Sequence, residues 1–117
     1  MERQTEETID AELTGLREQY RDLGILGLGR IIAQRAADEE ELGSIYLLID
    51  DAGWMMAGNI AEWPQSDDPM SNRVRFTVDP GDGLGPRRFL GRQVLLDDAR
   101  LLVARDVEDK LRTQSLL

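Results

Sequence analysis

The spacing of the apolar residues changes at Gly43. Before it, Ile9, Leu13, Leu16 and Tyr20 recur at intervals of four, three and four, which places them on one stripe of a helix. After it, Ile45, Leu47 and Ile49 alternate with Tyr46 and Leu48, the period of a strand whose side chains point to opposite faces. A chain that begins at helical period and continues as short runs of period two is α+β, with helices laid against one face of a sheet. Its 117 residues bound it to one domain with a single core. Aromatic residues make up only 5% of the chain, so that core is aliphatic.

The spacing predicts a first helix over 1–22 and a second over 25–38. Glu6, Glu7, Asp10, Glu12, Arg17 and Glu18 fill the polar faces of the first, its early acids suiting the positive end of the helix dipole. Asp22-Leu23-Gly24 breaks the pattern. Ile25, Leu28, Ile31, Ile32 and Ala36 then resume it. Gly24, Gly27 and Gly29 match no phosphate-binding loop; small residues there let one backbone lie close to another. The acidic run 38–41 opposes the dipole of a helix end and reads as a solvated loop.

Five strands are expected within 44–105: 44–50, 54–59, 72–78, 87–96 and 100–105. The first is apolar on both faces and so covered twice. In the third, Val74, Phe76 and Val78 point inward, and Arg73, Arg75 and Thr77 outward. Asp50-Asp51-Ala52-Gly53 and the 79–86 segment carry turn residues. Short connections make the sheet antiparallel. Asp106 reads as the N-cap of a closing helix over 106–117.

Absent residue types narrow the chemistry. The chain has no Cys and no His, which removes disulfides, thiolate sites and Ser-His-Asp catalysis. A net charge of −9 argues against nucleic acid, which needs a basic surface. The charge is uneven. Residues 38–68 hold nine acids and no base, whereas 73–105 hold seven Arg against four Asp. No apolar run is long enough to span a bilayer and no signal peptide is visible.

The strings 43–50 (Gly-Ser-Ile-Tyr-Leu-Leu-Ile-Asp), Gly53, 57–60 (Ala-Gly-Asn-Ile) and Trp63-Pro64, with 101–107 (Leu-Leu-Val-Ala-Arg-Asp-Val), together resemble the periplasmic sensor region of membrane-bound sensor histidine kinases of the alphaproteobacterial type. The similarity covers residues 12–112. It departs from the family pattern in the longer 79–86 turn and in Ala104, where Gly is expected. The resemblance implies a PAS-like sheet, membrane spans on both sides, a homodimer, a periplasmic location, and kinase chemistry lying outside these 117 residues. A stand-alone soluble PAS-like module for a small ligand is the alternative; a small carboxylate enzyme lacks a nucleophile–base pair.

Several residues are candidates for a role. Arg75, Arg88 and Arg92 on the Arg-rich strands suit bidentate capture of an anion, or balance the acidic half of the domain. Arg105 and Asp106 join the last strand to the exit helix, where they form either a cap with a surface ion pair or the expected signal junction. Asp50 with Asp51, and Asp67 with Asp68, are oxygen donors without the spacing of a calcium loop, so no metal site is assigned. No cofactor is expected, and the ligand or envelope stimulus stays unnamed. Trp54 and Trp63 read as an apolar edge or dimer contact, and Asn59 as a turn residue.

Overall fold

Helix α1 (Glu2–Ala37) owes its length to good helix formers on either side of one conformational break: Gly24 sits at φ 71°, ψ −172°, a region open essentially to glycine alone. The computed structural model describes residues 2–39, 43–65, 71–81 and 83–107. At Gly24 the helix folds back on itself. Arg35 reaches Glu12 at 2.7 Å, although each lies about 16–18 Å along its own arm from Gly24 at 1.5 Å per residue. The two predicted helices are thus one element with a kink and no intervening loop. Gly27 permits the tight fold, because a Cβ there would meet the Leu23 Cβ at 2.3 Å.

The strands are β1 (Ser44–Asp50), β2 (Met55–Gly58), β3 (Arg73–Val78), β4 (Arg87–Leu95) and β5 (Ala99–Asp106). They form one antiparallel sheet in the order β2-β1-β5-β4-β3. The fold is α+β. Asp106 is the last residue of β5, its N–H bonded to the Gly43 carbonyl. The predicted exit helix lies outside the described residues beyond Val107.

Both arms of α1 pack on one face of the sheet. Ile9, Leu13 and Leu16 from the first arm and Leu28 and Ile32 from the second join Tyr46, Leu48, Leu101 and Val103 in one cluster. The helical stripe is therefore covered by the chain's own sheet and needs no second copy. Ile45, Leu47, Val74, Phe89, Leu102 and Ala104 form a second cluster on the opposite face. Trp63 packs there beneath the Arg100 guanidinium, 4.4 Å from its ring centre. Strands β1 and β5 are thus buried on both faces.

Arg73, Arg75 and Thr77 are exposed, as the alternation predicts, on the side of the sheet that also carries α1. Arg73 pairs with Glu6 of α1 at 2.7 Å. The apolar side of β3 turns to the second cluster instead, where Phe76 stacks on Phe89 at 5.7 Å.

Candidate functional site

Of the residues that carry the resemblance, Ser44, Tyr46, Gly58, Asn59 and Arg105 gather at the first end of β1. Gly58 is forced by close approach: it has φ 152°, and a Cβ would lie 2.4 Å from the Tyr46 carbonyl oxygen. Asn59 then continues the pairing with its side chain. Its Oδ1 accepts from the Tyr46 N–H at 2.9 Å, and its Nδ2 donates to the Ser44 carbonyl at 2.8 Å. Asn59 is expected to stabilise a turn; its bonds run instead to strand β1 and fix the backbone of Ser44 and Tyr46.

Ser44 and Tyr46 project from the helix-bearing face, beside Arg105, which pairs with Ser44 across β1 and β5. The Glu12 side chain, 12% exposed, descends onto them from the first arm of α1. Glu12 Oε1 accepts from Arg105 Nη2 at 2.7 Å. Its Oε2 accepts from Arg35 Nη1 at 2.7 Å and from the Tyr46 hydroxyl at 2.5 Å. Arg105 Nη1 donates to the Ser44 hydroxyl. Burial, followed by the bond to the Glu12 carboxylate, pushes the Tyr46 phenol up to about 12. At neutral pH the phenol is therefore a hydrogen-bond donor and Glu12 the shared acceptor.

This cluster ties four segments together: both arms of α1, the start of β1 and the end of β5. Of these the sequence marks Arg105 as a junction residue; Ser44 and Tyr46 stand only within the resembling string, and Glu12 and Arg35 carry no mark. The signal for Glu12 was its place at the edge of the Ile9–Leu13–Leu16 stripe, where an acid is half-covered by whatever the stripe packs against.

Arg75, Arg88 and Arg92 lie on the same face of β3 and β4, with Arg88 opposite Thr77 and Arg92 opposite Arg73. Arg92 Nε is 3.0 Å from Asp10 Oδ1 of α1, an ion pair without the alignment of a hydrogen bond. Arg75 and Arg88 are likewise engaged. The register puts the three on the face that carries Arg105, with Leu90 between Arg75 and Arg105 in one cross-strand row. Asp50 serves its hairpin: Oδ1 accepts from Ala52 N–H at 3.0 Å and Trp54 N–H at 2.8 Å, and Gly53 turns at φ 88°. Asp67 and Asp68 lie outside the described residues. Trp54 is 73% exposed beside that turn. Asp106 holds a contact of its own.

No family model matches the chain, and no curated protein or solved structure matches it. Among the described residues no helix is long and apolar enough to cross a membrane.

Proposed function

We propose that this chain is the extracytoplasmic signal-sensing domain of a two-component sensor histidine kinase, passing a stimulus through its first helix and its last strand to a cytoplasmic kinase core. The observation that carries the reading is the Glu12–Arg105 bond. It joins the element nearest the start of the sequence to the strand that leads toward its end, and a sensor works by shifting the balance between two arrangements of such elements. The five-stranded antiparallel sheet with its helix on one face supports the PAS-like assignment, and the convergence of Tyr46, Asn59 and Arg105 gives the resembling strings a common purpose.

On this reading the parent protein sits in a bacterial inner membrane, with this domain in the periplasm and the chain beyond Val107 leading to a span. It acts as a homodimer, and phosphotransfer belongs to residues elsewhere. The test is reporter output in cells carrying the intact protein. Arg105→Ala and Asp106→Ala are expected to change basal output while the domain stays folded by circular dichroism. Unchanged output from both folded variants overturns the reading.

A further inference from the structure

Glu12 is the only member of its cluster that belongs to the first arm of α1. Its partners come from the rest of the molecule: Arg35 from the second arm, Ser44 and Tyr46 from β1, and Arg105 from β5. With the first arm set aside, two guanidinium groups and a protonated phenol converge on the space of one carboxylate; Ser44, Tyr46 and Arg105 are held by strand pairing and the Asn59 bonds, and Arg35 comes from the second arm of α1. Such a set is built for a planar anion, because guanidinium groups match carboxylate oxygens in direction as well as charge.

The tethered occupant does not use all that is offered. Arg105 gives Glu12 only Nη2, and its buried Nε has no acceptor among the described residues. A free carboxylate is not constrained by a helix and can take Nε and Nη2 together in the bidentate form. We propose that Arg35, Ser44, Tyr46 and Arg105 form a receptor for a small monocarboxylate, with Glu12 as its resident internal occupant. An external carboxylate displaces Glu12 and so releases the first arm of α1 from β5. The consequence for signalling rests on the sensory reading above; the receptor itself does not.

The test uses the chain with sodium formate as the probe. Glu12→Ala empties the receptor of its own carboxylate. Formate is then expected to raise the Tm saturably, by about 5 °C, where sodium chloride at equal ionic strength gives no such rise. The Glu12→Ala/Arg105→Ala pair should lose the response. An equal effect of chloride, no effect of formate, or a response that survives loss of Arg105 overturns the proposal. Should Glu12→Ala fail to fold, Glu12→Gln keeps the shape without the charge. Formate should then move the Arg105 Nε–H resonance in that variant at concentrations that leave the parent chain unchanged, and an unmoved resonance overturns the proposal. Formate binding supports it whatever the output of the intact kinase.

Discussion

A double-mutant cycle on Glu12 and Arg105 measures how firmly the first helical arm is held to the last strand. The perturbations are Glu12→Gln, which keeps shape and removes charge, and Arg105→Met, which keeps most of the apolar stem. Removing one partner of a fully buried ion pair costs about 3–5 kcal/mol, whereas an exposed pair contributes about 0–1 kcal/mol. The pair lies between these limits, with side chains 12% and 30% exposed. Each single change should therefore cost about 2 kcal/mol, read from urea unfolding as a lower midpoint at unchanged slope. Each also disturbs a third group: Glu12 the Tyr46 hydroxyl and Arg35, Arg105 the Ser44 hydroxyl. The cycle removes those contributions, and a coupling of about 1–2 kcal/mol should remain. A parallel cycle on Glu12 and Arg35 should give less, because the Arg35 side chain is more exposed than that of Arg105. Additivity within about 0.5 kcal/mol at the Glu12–Arg105 pair would refute the reasoning.

Gly58→Ala places a Cβ against the β1 backbone, which cannot swing aside as a side chain can, and should cost about 3 kcal/mol in the same urea assay. Gly24→Ala meets no atom within 4 Å, so its cost is that of the backbone conformation alone, about 1–3 kcal/mol; a neutral result would mean that the kink tolerates another geometry. Tyr46 should ionise only near pH 12, seen as late growth of phenolate absorbance. Its folded pKa lies above the unfolded value of 10.0, so its contribution to stability is complete below pH 10 and is lost as pH rises toward 12. Tyr46→Phe should flatten that loss.

The strands were legible because their signals are local. Alternation and turn glycines placed β4 at 87–96 against the observed Arg87–Leu95, and β2 at 54–59 against Met55–Gly58. The kink was legible as a break at Gly24, but not as a reversal, because the reversal is decided where Ile9 and Leu28 reach the same sheet face. Strand order was beyond local reading, since β1 and β5 pair across 61 residues at Ser44 and Arg105. The same distance hid the site. Glu12 finds Tyr46 and Arg105 at separations of 34 and 93 residues, and nothing in its neighbours announces either. Alternation puts Arg73 and Arg75 on the exposed side of β3, where they are, but it does not say that the same side carries the helix.

The position of β5 as the third strand of five has a consequence for how the chain is born. The strand that completes both apolar clusters is the last of the five to be synthesised. At 5–20 residues per second, β5 follows β1 by about 3–10 s. During that interval Ile45 to Ile49 has lost neither of its greasy faces to a neighbour that spans the sheet, and such a run is a ready nucleus for aggregation. The acids on either side of it then act as gatekeepers: Asp38, Glu39, Glu40 and Glu41 precede it, and Asp50 and Asp51 follow. Neutralising the 38–41 run and Asp51, with Asp50 kept for its hairpin, should make the nascent chain prone to clump.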